Sequence, residues 1–255
     1  MLRHVAAPGP GCRALQSAAG RVPLRAPAGY TRRMAFHAPA LPAPPPPPWA
    51  VSGLAALTAQ DPRLAAIEAA AGPLPWRVRQ PGFPGLLRAV CGQQISNQAA
   101  AAIWRRLSTL PSALEPAGLL ALDDAALCGV AGLSRPKAAH ARSLARACLD
   151  GRLDFAGLRG MADAEAVAHI AAVPGLGPWT AAIHLLFAEG RPDVLPSGDL
   201  ALAAGAAHLL GLPARPRPRE LAEIALAWRP WRSLAARLLW HHWRFVTGRP
   251  AVEDG

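Results

Sequence analysis

Cysteine, lysine and acidic side chains are all in short supply in this 255-residue chain, and each shortage removes a class of chemistry. The four cysteines, Cys12, Cys91, Cys128 and Cys148, show neither close pairs nor the spacing of a zinc or iron–sulfur ligand set. No iron–sulfur cluster is expected, and a reducing cytoplasm is the natural setting for such isolated thiols. The histidines His140, His169, His184, His208, His241 and His242 follow no metal-ligand pattern. No apolar run reaches the roughly 20 residues that a membrane-spanning helix needs. No stretch alternates polar and apolar residues convincingly, which argues against strands. Acidic residues number 16 against 27 lysines and arginines, a net charge of +11 that suits a polyanionic partner such as DNA. Part of that excess lies in the N-terminal tail, at Arg3, Arg13, Arg21, Arg25, Arg32 and Arg33. The preference for arginine over the single lysine, Lys137, with 28 prolines, reads as the imprint of a GC-rich coding sequence.

What is present is mostly helical. Residues 1–48 are Ala, Pro, Gly and Arg, ending in the run Pro44 to Pro48, and cannot bury enough apolar surface to offset ordering entropy. This tail is expected to be disordered with a stiff extended end. Its composition mimics an organellar transit peptide, but a dispensable tail or a start misassigned upstream of Met34 is the preferred reading. Residues 49–255 are expected to form the folded domain. Asp61 caps an expected helix through Ala71, and Ser96 one through Leu110. Ser134–Leu149 reads as an amphipathic helix with Arg135, Lys137, Arg142 and Arg146 on its polar side. Pro218 opens a helix reaching Trp228, and Pro230 one reaching Phe245.

The most informative stretch is Val173-Pro174-Gly175-Leu176-Gly177-Pro178-Trp179-Thr180-Ala181, between two apolar-periodic segments, so that a helical hairpin is expected over about 164–188. Its glycines permit a sharp turn and close approach of a partner. The free amides opening the second helix make an anion site suited to one phosphate. Asp199 follows in Pro196-Ser197-Gly198-Asp199, ahead of a helix over Ala201–Leu210. On local sequence it reads equally as an N-cap or as a catalytic carboxylate.

Several stretches together resemble the helix-hairpin-helix/Gly-Pro-Asp DNA glycosylase superfamily, in its order and spacing over about residues 80–245. They are Phe83–Leu107 with its Gly-Gln-Gln turn, Gly132-Leu133-Ser134-Arg135-Pro136-Lys137, the hairpin with Asp199, and Trp228-Arg229-Pro230-Trp231. The branch most similar is the bacterial 3-methyladenine DNA glycosylase II group, in a compact form without its N-terminal β domain. The resemblance implies an all-α, two-lobed enzyme with the hairpin at a cleft between lobes. It implies Asp199 as the catalytic aspartate, stabilising an oxocarbenium-like transition state and orienting or deprotonating a water. Trp179 and Trp240 match base-pocket positions, where indole faces suit cationic alkylated purines. Trp228, Trp231 and Trp243 are expected in the core or lobe packing.

The DNA-contacting set implied is Gln93, Gln94, Gly175, Leu176, Gly177 and Thr180, with Gln94 as the residue that fills the gap left by a flipped base. Trp179 stands where relatives that also cleave the backbone carry a Schiff-base lysine, so the resemblance implies a monofunctional enzyme. No cofactor is required; in the family a monovalent cation is often held by hairpin carbonyls, here those of Ala171, Val173 and Leu176. The implied partner is double-stranded DNA containing alkylated bases, with no membrane, and the protein is expected to be a cytoplasmic, nucleoid-associated monomer. A glycosylase for deaminated or oxidised bases and a non-catalytic DNA-binding module are the alternatives.

Overall fold

First turns explain why these segments become helices. In the computed structural model, which describes residues 45–249, Asp61 accepts the amide of Arg63 at 3.1 Å and Pro62 opens the next helix, as the sequence predicts. Ser96 accepts the amide of Ala99 at 3.2 Å, but that helix ends at Ser108, two residues short of the expected Leu110. The tail up to residue 44, with Cys12 and Met34, lies outside the described residues. Pro47, at φ −65° and ψ 157°, leads extended into the first helix.

Twelve α-helices follow in order among the described residues, with no strand. They are α1 (Pro48–Gln60), α2 (Pro62–Ala71), α3 (Gly82–Cys91), α4 (Asn97–Ser108), α5 (Pro116–Ala121) and α6 (Arg135–Leu149). Then come α7 (Phe155–Leu158), α8 (Asp163–Ala171), α9 (Pro178–Phe187), α10 (Leu200–Leu210), α11 (Pro218–Ile224) and α12 (Arg232–Val246). A π-helical turn, Ala125–Val130, precedes α6. The helix expected to run from Pro218 to Trp228 breaks into α11 and a 3-10 turn, Ala225–Trp228.

Two apolar cores divide the fold into lobes. The first joins Phe83, Leu86 and Leu87 of α3 with Leu144 of α6 and Ile170 of α8. The second joins Leu57 of α1, Leu64 and Ile67 of α2, Leu202 of α10, and Leu238 and Leu239 of α12. Burying each such leucine stabilises by about 1.5–3 kcal/mol, so each core outweighs any single surface contact. Helix α9 serves both: Ala181, Ala182 and Leu185 belong to the first core and Leu186 to the second. Helices α10 and α12 approach so closely that a Cβ on Gly205 would lie 2.6 Å from the Leu239 carbonyl oxygen, so a larger residue there would force them apart.

The segment between α9 and α10 is fastened to the start of α12. Asp193 takes a bidentate pair from Arg232 at 2.8 and 2.9 Å, and the Ser233 hydroxyl donates to the Val194 carbonyl at 3.0 Å. Such anchoring fixes where α10 begins, and Asp199 stands at that point.

One sequence expectation is corrected here. Lys137 does not sit on the polar side of α6 with the arginines. It is buried, and its ammonium donates to the Cys91 carbonyl at 2.9 Å. A cation at the carbonyl end of α3 is favoured by the helix dipole. Burial lowers its pKa from the usual lysine value, with the nearby Cys91 acting in the opposite direction. The Cys91 thiol is itself pushed up to about 12 by burial.

Candidate active site

Asp199 begins α10 as its N-cap, accepting the Leu202 amide at 2.8 Å on Oδ1. The capping reading of the sequence is therefore correct, but it does not exhaust the residue. Two indoles converge on the same carboxylate: Trp240 Nε1 donates to Oδ1 at 3.0 Å, and Trp179 Nε1 donates to Oδ2 at 2.9 Å. Three N–H groups thus fix the carboxylate plane, with Oδ2 accepting only one of them. Asp199 and both tryptophans are half-buried, so this second oxygen keeps a lone pair for an incoming group.

The two tryptophans come from different places. Trp179 lies in the first turn of α9, and Trp240 midway along α12. Trp240 stacks on Phe187, centroids 5.7 Å apart and planes within 21°. Phe187 in turn carries the Arg237 guanidinium at 4.5 Å, and Trp76 closes the column at 4.1 Å on the far side. One face of Trp240 is thereby taken up in packing. Trp228 is buried, with its indole N–H on Asp61 Oδ2 at 3.0 Å, and Trp231 stacks on Trp49, as expected of packing residues.

The hairpin joins α8 to α9 through Gly175, whose φ of +90° a side chain would strain. A Cβ there would also lie 2.3 Å from the His140 ring. Gly177 differs: at φ −83° any residue fits, and nothing lies within 4 Å of where its Cβ would be. Beyond it, the amides of Trp179 and Thr180 open α9 with no backbone acceptor among the described residues. Pro174 has no N–H to offer back to the end of α8. The carbonyls of Ala171 and Leu176 receive no backbone amide among the described residues, while Val173 accepts that of Leu176 at 2.9 Å. These oxygens fit the hard-oxygen donor set of a monovalent cation.

Other members of the expected DNA-contacting set separate. Gln94 is exposed at the turn between α3 and α4, with φ +57°. A non-glycine residue in that region costs about 1–2 kcal/mol. Gln93 turns inward instead: Nε2 donates to the Gly175 carbonyl at 3.0 Å and the Thr180 hydroxyl at 3.2 Å, and Oε1 meets His140 Nδ1 at 3.3 Å. Thr180 is only 2% exposed and Leu176 likewise, so neither side chain faces a partner. Only their backbone groups remain for such a role. Sequence reasoning missed the indole donors to Asp199 and the inward role of Gln93. The available signal for the first was that five of the eight tryptophans lie between Trp179 and Trp243.

A separate groove of about 330 Å³ opens beside Trp76 and Leu234, between α1 and α2. Its only charged lining residue, Glu68, accepts the Leu74 amide at 2.8 Å.

Residues 87–231, more than half of the chain, match the family described as "HhH-GPD superfamily base excision DNA repair protein". The chain belongs to this superfamily. Over 172 residues it is 34% identical to the Mycobacterium tuberculosis protein named "Probable bifunctional transcriptional activator/DNA repair enzyme AlkA", covering 60% of this chain and 32% of that one. It therefore spans about a third of that relative's length. The fold matches Bacillus halodurans DNA-3-methyladenine glycosidase, with a TM-score of 0.64, 32% identity, and 74% and 87% of the two chains covered. It also matches the Schizosaccharomyces pombe 3-methyladenine DNA glycosylase in complex with abasic DNA, with a TM-score of 0.68, 24% identity, and 80% and 100% covered. The superfamily's all-α fold, expected from the sequence, is thus the fold found.

Proposed function

We propose that this superfamily member is a monofunctional DNA glycosylase of base excision repair, acting on alkylated purines of the 3-methyladenine and 7-methylguanine type in duplex DNA. The observation that carries the reading is the Asp199 carboxylate, held by two indole N–H groups and a helix start, with Oδ2 left one acceptor site. Breaking an N-glycosidic bond develops positive charge on the sugar. A fixed carboxylate beside it stabilises that charge without reorganising, and its free lone pair can orient or deprotonate the attacking water. Cationic bases are good leaving groups, so a general acid at the base is dispensable. The names of the Bacillus and Schizosaccharomyces relatives agree with this substrate class.

The duplex would be gripped at a phosphate by the opening amides of α9, next to the bare surface of Gly177, with the net charge of +11 in support. A monovalent cation on the carbonyls of Ala171, Val173 and Leu176 would add positive charge toward that phosphate. Gln94 would fill the space of the extruded nucleotide. Lys137 is committed to the Cys91 carbonyl and no other lysine exists, so no lysine amine is at hand for a Schiff base.

The test is incubation with methylated duplex DNA, with released bases identified by chromatography and borohydride added in parallel. Free 3-methyladenine and 7-methylguanine with no trapped protein–DNA adduct is the expected result. Absence of released base refutes the glycosylase reading, and a trapped adduct refutes the monofunctional one.

A further inference from the structure

Three parts of the proposed site meet at one glutamine. Gln93 belongs to the turn that carries Gln94, yet its amide nitrogen donates to Gly175 of the hairpin and to Thr180 of α9. The Gly175 carbonyl can only accept, so the nitrogen must face it, and the Gln93 oxygen must face His140. His140 Nδ1 therefore carries a proton and donates, at 3.3 Å. The same His140 ring occupies the space where a side chain on Gly175 would go. The turn is also held at both ends, by Lys137 on the Cys91 carbonyl at 2.9 Å and by the Ser96 cap of α4 at 3.2 Å. Gln94, in its left-handed conformation and exposed, sits between these fixed points with no hydrogen bond of its own side chain among the described residues.

We propose that Gln93 is a positioning residue that locks the Gln94 turn to the hairpin. The inference rests on the glycosylase reading and deepens it. A phosphate held at the start of α9 then fixes where Gln94 enters the base stack, because both are tied to the Gly175–Thr180 segment, through the Gly175 carbonyl and the Thr180 hydroxyl. Gln93 touches no substrate itself. Without its donor the hairpin still captures DNA, but the turn loses its register. Misplacement on the order of 1 Å in such a constellation can cost 10²-fold in rate.

The experiment uses the full chain and a duplex with one 7-methylguanine beside 2-aminopurine, whose fluorescence rises when its neighbour leaves the stack. Gln93→Met keeps the length and removes both donors and the acceptor. Its single-turnover excision rate at saturating protein is expected to fall by about tenfold or more, and its fluorescence rise to shrink with it, while the half-saturating protein concentration shifts by less than about threefold. Thr180→Val, which removes one acceptor and keeps the shape, is expected to give the same split on a smaller scale, and it decides the matter if Gln93→Met does not fold. Unchanged rate and fluorescence in the folded variant overturn the proposal. So does a rate loss fully explained by weaker capture. Wild-type protein that releases no base sinks the glycosylase reading and this inference together. Active wild type matched by the variants sinks the inference alone.

Discussion

Replacing Asp199 by Asn separates the two jobs of that residue. Its Oδ1 accepts from Leu202 N at 2.8 Å and Trp240 Nε1 at 3.0 Å, and its Oδ2 from Trp179 Nε1 at 2.9 Å. Asn retains one acceptor oxygen. Placed on the Oδ1 side, it preserves the helix cap and the Trp240 bond, since Asn caps as well as Asp. Its NH2 then faces the Trp179 N–H, donor against donor. One half-buried indole left without its acceptor costs about 1–3 kcal/mol, which at roughly 2–4 °C per kcal/mol for a domain of this size is a clear but survivable fall in Tm. The effect on rate is larger and has a separate cause. Removing one preorganised electrostatic group opposite a developing charge costs about 10²–10³-fold, and Asn removes a full negative charge. Single-turnover release of 3-methyladenine, with a melting curve on the same sample, reads both numbers. A folded Asp199→Asn protein excising within about fivefold of wild type, well under 1.4 kcal/mol in barrier, would refute the assignment of Asp199 and leave only the cap.

Trp179→Phe and Trp240→Phe each delete one donor to the carboxylate. Each is expected to slow excision by about 10- to 100-fold, as for a hydrogen bond to a charged group worth 1.5–3 kcal/mol, and unchanged rates in both would show that the indoles do not orient Asp199. Gly177→Leu is expected to fold normally, since φ −83° suits any residue and no atom lies within 4 Å of its Cβ position. It should weaken binding to damaged and undamaged duplexes alike by about tenfold, the scale of losing one or two phosphate contacts; unaltered affinity by anisotropy would reduce the hairpin to a turn. His242 is fully buried against His208, and burial first, then the charges of His208 and His241, lower its pKa from 6.5 to about 4. The unfolded chain therefore takes up a proton below pH 6.5 that the folded one refuses until about pH 4. Stability is expected to fall across that window by up to about 3 kcal/mol, at 1.36 kcal/mol per pKa unit. His242→Phe should flatten this part of a urea-melt pH series, and an identical pH slope in the variant would show that His242 is not its source.

Local signals were legible in the sequence and distant ones were not. Asp61, Ser96 and Asp199 announced their helices because a cap needs only its own next three residues. The hairpin was legible for the same reason, since Gly175 and Pro178 dictate its backbone directly. The role of Asp199 was divided between cap and catalyst because the deciding donors lie 20 and 41 residues away in the chain. Lys137 was misplaced because helical periodicity assigns a charged side chain outward, whereas its acceptor is a carbonyl 46 residues upstream. Gln93 and Thr180 were grouped with the DNA contacts by motif position. Their mutual hydrogen bond, across 87 residues, turns both inward.

The arrangement of the two cores also orders events during synthesis. The second core combines α1 and α2 with α10 and α12, so the first lobe is in effect an insertion within it. Helices α1 and α2 leave the ribosome before the rest of this core and cannot complete the burial of Leu57, Leu64 and Ile67 until α12 begins, 161 residues after Ala71. At the usual 5–20 residues per second this is a wait of roughly 8–32 s. Within it the first lobe is completed at Val194 and can gather around its continuous stretch of chain, while two apolar helix faces stay uncovered and open to chaperones.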